Sequence, residues 1–288
     1  MRVIFCFVLL AVAFAPLSAQ KNSGSPQPQR IRVAKGESYQ FATASEVENR
    51  VTMMGTEQIS TISVAAKSML NVVSSAKDST VFALSTSNLE ASMKGMAMMG
   101  VPDTTIRRDS LPESFEQATV LASGKLLRST KDNESENSGS PEGRMLRQIM
   151  GSRSNAESMF ISFPEKSLAV GDEWTDTKND TTTGERSIIT NLVMRYTFEG
   201  ICDTLGMKCG RIKGRSERYV IGGSIKRMGS EMSMEGDGVV KSTYVFELKT
   251  GLPVAVNSSV ELDQRLSVGE GMEIPISMTT NTRMTRVK

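Results

Sequence analysis

Histidine is absent from this 288-residue chain. No imidazole is available as a general base, a proton shuttle or a metal ligand. Serine–histidine triads, zinc proteases and facial-triad iron sites are thereby excluded. An excess of charge of one sign is lacking too: 34 Lys and Arg stand against 32 Asp and Glu, a net +2. A chain this near neutrality has no global field to steer it onto nucleic acid or an anionic membrane, so a nucleic-acid role is not expected. Aromatics make up only 5%, and Phe5, Phe7 and Phe14 fall within the first residues. The rest are scattered and do not form the two girdles of a transmembrane β-barrel. Carboxylates are common but unclustered, and no D-x-D-x-D-G calcium loop occurs. No metal, cofactor or enzymatic activity is expected.

Long apolar runs are confined to the N-terminus. Arg2 precedes an apolar run from Val3 to Ala15, and Pro16-Leu17-Ser18-Ala19 follows. A basic start, an apolar stretch and a small residue at the cut describe a secretory signal peptide over 1–19. The run is too short for a span of roughly 20 residues. Cys6 lies inside it and Gln20 follows the cut, so no lipid anchor is expected. The chain is read as exported, periplasmic or extracellular, and soluble after cleavage near Ala19. Maturation leaves Cys202 and Cys209. In an oxidising compartment a pair this close is expected to form a disulfide, closing a short loop and contributing about 2.5 kcal/mol.

The mature chain divides by composition. Residues 20–30 read as a flexible tail, since Lys21 to Gln29 carry no apolar side chain. An antiparallel β segment is expected over 31–128 and another over 158–288, joined into one fold. Between them, 129–157 holds a polar linker (Ser129 to Gly143) and a short helix, marked by Met145, Leu146, Ile149 and Met150 at helical spacing. The C-terminal segment is the more legible. Val254, Val256, Val260, Leu262, Leu266 and Val268 alternate with Asn257, Ser259, Glu261, Asp263, Arg265 and Ser267. Side chains alternate across a strand, so this is one long strand with a dry and a wet face. Val240, Tyr244, Phe246 and Leu248 repeat the stripe, as do Ile188, Leu192, Met194, Tyr196 and Phe198; Ile276, Met278 and Met284 form a weaker one. One-sided alternation indicates antiparallel pairing. In the N-terminal segment, strands are expected around Tyr39 to Val51, Ile62 to Val73 and Val81 to Met93, with a hairpin at Ser123-Gly124. The fold class is mainly β: long antiparallel strands in a curved open sheet or half-barrel, with one short helix near the middle.

Two local features go further. Val33 to Tyr39 and Leu168 to Trp174 share a Gly, an acid after it and an aromatic three after it, a hint of internal duplication. Around Cys202, pairing it with Cys209 would place Phe198 opposite Lys213 and Tyr196 opposite Arg215, setting cations over a core face. A bulge at Gly210 would re-phase the strand and bring Ile212 opposite Phe198.

Each candidate site has a plain alternative. Ser74 to Lys77 fits S-x-x-K and Lys249 to Gly251 fits K-T-G, marks of penicillin-recognising enzymes. Ser74 ends a strand-like run, however, and no S-D-N occurs. Arg211, Lys213 and Arg215 share one strand face, with Arg218, Lys226 and Arg227 following; they suit an anion or a partner surface, or a solvated face that blocks edge pairing. Met93, Met96, Met98 and Met99 cluster beside Gly95 and Gly100, as an apolar ligand groove or as core filling. Asn133, Asn179 and Asn257 begin N-x-S/T triplets, relevant only in a glycosylating host.

The leader, Lys35 to Tyr39, Met53-Met54-Gly55, Phe163-Pro164, Val170 to Trp174 and Thr250-Gly251-Leu252 together make the chain resemble a group of exported β proteins of unknown function typical of Bacteroidetes. That resemblance implies no activity and transfers no functional residue. More loosely, the pattern is similar to the half-barrels of periplasmic lipoprotein carriers. The reading is a non-enzymatic envelope protein that binds or carries an apolar, lipid-like molecule on a concave β face. The alternative is a scaffold that meets another envelope protein.

Overall fold

The computed structural model describes residues 29–53, 55–95, 102–110, 116–131, 155–182, 186–227, 230–268 and 272–287. Twelve strands are β1 (Ser38–Met53), β2 (Thr56–Ser75), β3 (Ser79–Lys94), β4 (Thr104–Ser110), β5 (Glu116–Leu121), β6 (Leu126–Lys131), β7 (Glu173–Thr182), β8 (Arg186–Thr204), β9 (Met207–Arg227), β10 (Ser230–Glu247), β11 (Pro253–Val268) and β12 (Met272–Val287). One short helix, α1 (Asn155–Met159), lies between β6 and β7. They form a single sheet in the order β6-β5-β3-β2-β1-β12-β11-β10-β9-β8-β7, with β4 beside β3. The two β segments are thus one open antiparallel sheet, and β6 and β7 are its ends. The chain starts mid-sheet, meanders to one edge, crosses to the other and meanders back until β12 pairs with β1.

Alternation accounts for most of these strands, and its exceptions are bulges. Val254, which the stripe places on the dry face, is the extra residue where Val245 pairs Ala255 and Phe246 pairs Pro253. It is fully buried against Cys209 and Val245 instead. The bulge expected at Gly210 is on the partner strand: Phe198 pairs Ile212 and Gly200 pairs Arg211, leaving Glu199 extra. Gly210 stays in register opposite Ile201, where a Cβ would lie 2.4 Å from the Phe246 ring, and Gly200, at φ +129°, borders the irregularity. The expected re-phasing of the strand is present; its location is corrected. The helical spacing at Met145 to Met150 lies outside the described residues, as do the leader and most of the tail. β6 runs on to Lys131, past the start expected for the linker. β4 was not foreseen, since TTIRRDS offers one apolar residue, Ile106.

The sheet curls toward its apolar face. Ile31 N–H donates to the Ala122 carbonyl after β5 (2.7 Å), and the next residue, Arg32, donates to the Thr250 carbonyl between β10 and β11 (2.8 Å). In a flat sheet those acceptors would stand about 24 Å apart, at roughly 4.8 Å per strand. Two consecutive residues bridge them, so this end of the sheet is rolled nearly shut. The interior there is solid. Phe41, Leu70, Phe82, Val120, Val256 and Met284 pack with Ile31, Met159 and Phe160. Tyr196, Phe198, Ile212, Phe246 and Val260 pack with Ile161 and Phe163. Phe160 stacks on Phe82 at 5.2 Å and Phe163 meets Phe246 edge-on at 5.0 Å. The segment 156–163, α1 and the residues after it, plugs this end and is pinned at both of its own: buried Glu116 accepts from Ser129 Oγ and from Ala156 N–H, and Trp174 Nε1 donates to the Ser162 carbonyl at 2.8 Å.

The two similar heptapeptides make the same turn. Gly36 and Gly171 sit at φ +88° and +89°. Glu37 Oε2 accepts from Ala34 N–H and Asp172 Oδ2 from Ala169 N–H, each at 2.9 Å. Each turn docks on a strand, through Val72 and Phe198 respectively. Those backbone donors hold both carboxyls below the ordinary carboxylate range, with Tyr39 adding to the effect on Glu37 and Lys166 to that on Asp172.

At the rolled end a buried clasp joins strands from both segments. Arg286 Nη1 meets Glu247 Oε2 at 2.9 Å, Arg286 Nη2 donates to the Pro253 carbonyl at 2.9 Å, and the guanidinium lies 5.0 Å from the Tyr39 ring centre. Glu247 also accepts from Thr250 Oγ1 at 2.7 Å.

Candidate ligand site on the concave face

Above the plug the trough is open. A cavity of about 890 Å³ is lined by residues of seven strands, among them Ser45, Val64, Gly214, Ser242, Ser258 and Thr282. Register explains the cavity. Val64 is opposite Ser45, Ser45 opposite Thr282, Thr282 opposite Ser258, Ser258 opposite Ser242 and Ser242 opposite Gly214. One short side chain per strand therefore runs round the sheet as a belt. The row nearer the plug holds Met284, Val256, Tyr244, Ile212 and Phe198. Large side chains fill the interior there; small ones leave it empty.

Toward the far rim the concave face turns apolar again without being covered by any described residue. Val51, Ile276, Gln264, Gly236 and Ile221 form one row, and Ile274, Leu266, Met234, Gly223 and Ile188 the next. Their large members are only half-buried, while Glu235, Asp237, Asp263, Arg265 and Glu273 on the convex side are exposed. Half-exposed apolar rows lining a concavity are what a binding groove presents.

Two tyrosines floor the trough. Burial pushes the Tyr244 hydroxyl up to about 12 and raises that of Tyr196 further, while Tyr39 is raised by burial and by donating to Glu37 Oε2 at 2.7 Å. A group whose folded value exceeds its unfolded one stabilises the fold below the unfolded value, about 10 for Tyr, and loses that contribution as pH climbs toward the folded value. The protein is therefore expected to unfold in alkali above pH ~10. Phenolate absorbance from these residues should rise together with loss of the sheet signal in circular dichroism. Phenolate appearing in intact sheet would contradict the burial.

The residues singled out from sequence distribute as follows. Met93 is on the concave side of β3 and 3% exposed, a core residue opposite Ile62; Met96, Met98 and Met99 lie outside the described residues. Arg211, Lys213 and Arg215 are exposed and alternate with buried Ile212 and Gly214, which sets their side chains on the convex face; Lys213 and Arg215 nonetheless flank Gly214 where β9 lines the cavity. Arg215 stands opposite both Arg195 and Lys241. Arg195 pairs with Glu217 and Glu173, and Lys241 with Glu261 at 3.4 Å. Cys202 and Cys209 are directly opposite, as expected, but both are free thiols. Cys209 Sγ is turned to the Met207 carbonyl at 3.4 Å, and burial pushes its thiol up. Ser74 lies within β2, not at a helix start. Among the described residues no cluster could hold a metal ion, and no helix is long and apolar enough to cross a membrane.

Sequence reading missed the belt. Its signal was present as gaps: the stripe of β10 skips Ser242, that of β11 skips Ser258 and Gln264, and Ser242 and Ser258 fall in register.

No curated protein matches the chain. Among solved structures, OccK2 (OpdF) of Pseudomonas aeruginosa in complex with glucuronate is similar at 7% identity and a TM-score of 0.29, over 89% of this chain and 100% of that one. An outer membrane channel from Pseudomonas putida F1 is similar at 11% and 0.25, over 90% and 98%. OmpF of Salmonella typhi in complex with daunomycin is similar at 6% and 0.24, over 89% and 100%. Likenesses this faint transfer neither a ligand nor a place in a membrane. Residues 144–253, from before α1 to the start of β11, match the model of a family of unknown function (DUF6263).

Proposed function

We propose that this exported, non-enzymatic protein binds or carries an apolar, lipid-like molecule in the trough of its sheet. The observation that supports this reading is the empty belt, with half-exposed apolar rows farther along the same concave face. At about 890 Å³ the cavity falls within the range of small-molecule sites, roughly 300–1,000 Å³. Covering the rows with hydrocarbon would contribute about 25 cal/mol per Å² removed from water.

Native mass spectrometry of protein taken from its own envelope is expected to show a co-purifying apolar molecule. In titration with a hydrocarbon fluorophore, diphenylhexatriene, the protein should bind saturably. Ile276→Lys, which sets a charge among the half-buried rows, should weaken that binding at least about tenfold without lowering the melting temperature, because burying an unpaired ammonium is costly. Ligand-free protein that also ignores the fluorophore would end the proposal.

A further inference from the structure

Resting on that reading, we infer that the ligand is a neutral acyl ester or amide, its hydrogen-bonding group seated on the hydroxyl belt and its chain lying along the rows above. Three observations converge on this. The first is the absence of charge. From the row of Thr43 to the far rim, no concave-facing position in β1, β10, β11 or β12 holds Asp, Glu, Lys or Arg. Charged residues elsewhere on that face include Asp176, Lys178 and Asp180 on β7 and Arg108 on β4. An ionised head seated on these four strands, β1, β10, β11 and β12, would find no counter-charge among their concave positions, and its desolvation there would go uncompensated. The second is the hydroxyl cluster. Ser45 and Thr282 touch through Oγ and Oγ1 at 3.0 Å, with Ser258 opposite Thr282, and Thr43 and Thr280 one step to either side on the same face. The third is its position, between the large apolar row of the plug and the apolar rows of the rim. Plain hydrocarbon laid over this cluster would strip water from hydroxyls and return nothing. An ester carbonyl, an amide or a glycerol hydroxyl restores those bonds while remaining neutral.

The experiment compares three probes on the full mature chain: monopalmitoylglycerol, palmitate and diphenylhexatriene. Wild-type protein is expected to bind monopalmitoylglycerol at least about tenfold more tightly than palmitate. In Ser45→Ala/Thr282→Val, which keeps side-chain volume nearly constant, monopalmitoylglycerol affinity should fall about tenfold, the size of one good hydrogen bond. Diphenylhexatriene should be held as well as before or better. Thr282→Ser, which keeps the hydroxyl, should bind as wild type does. Equal affinity for palmitate and monopalmitoylglycerol, or a double variant that weakens every probe alike or none, would overturn the inference while leaving the apolar trough in place. Failure of wild-type protein to bind any of the three would overturn the trough itself.

Discussion

Arg286→Met is expected to lower the unfolding free energy by about 3–5 kcal/mol, the cost of leaving one member of a buried pair alone. The two side chains are only 9% and 15% exposed, so water cannot replace the lost partner. Glu247 would keep the Thr250 hydroxyl but lose its cation, and the Pro253 carbonyl would lose two donors. The clasp also joins residues far apart in the chain: Tyr39 opens β1, Pro253 begins β11 and Arg286 ends β12. Denaturant unfolding of Arg286→Met, beside Glu247→Gln/Arg286→Met, tests the account. The double variant should recover much of the loss, since it removes the orphaned charge. A single variant as stable as wild type would show that the clasp contributes nothing.

Gly124→Val should cost about 3 kcal/mol or more, through backbone strain plus collision. Gly124 sits at φ +85°, where a β-branched side chain is strongly disfavoured, and a Cβ there would lie 2.2 Å from the Ile161 carbonyl oxygen. The Phe163 N–H donates to the Ser123 carbonyl beside it, so the hairpin tip is the seat of the plug. The variant is expected to lift Ile161 and Phe163 from their pockets before the long strands separate. Hydrogen exchange should show early loss of protection at Phe163, with β10 and β11 still protected. A variant that melts with wild type would mean the tip can shift without disturbing the plug.

The strands were legible where one face is dry and the other wet. Val256–Val268 and Ile188–Phe198 announce themselves because every second side chain faces the interior. Legibility failed where that contrast fails. In β4 only Ile106 is large and apolar, and in β7 only Trp174, whose place after the Gly171 turn marked where a strand opens but not how far it runs; both strands lie near the margins of the sheet, where fewer neighbours demand an apolar side. The conflict around Cys202 could be read from charge alone, since Lys213 and Arg215 cannot share a face with Tyr196. Which strand would carry the extra residue could not, because Gly200 and Gly210 lie on opposite strands and the charge pattern distinguishes neither. The belt was hidden for a similar reason. A serine in a stripe looks like noise until pairing lines it up with Ser45, Thr282 and Ser258 on neighbouring strands. The oxidation expected of Cys202 and Cys209 rested on proximity, and the strands provide that proximity without joining the sulfurs.

The seam between β1 and β12 has a kinetic consequence. Every other long-strand pairing joins neighbours in the chain, whereas Gln40 meets Val287 only after both meanders exist. The first meander can assemble while the second is still being made, and loop-closure entropy leaves the joining of the two ends for last. Until then each half presents a bare, extended margin to the solvent. A neighbouring molecule's half has the same complementary margin, so crowded refolding favours exchange of halves between copies, and dilute refolding favours the single chain.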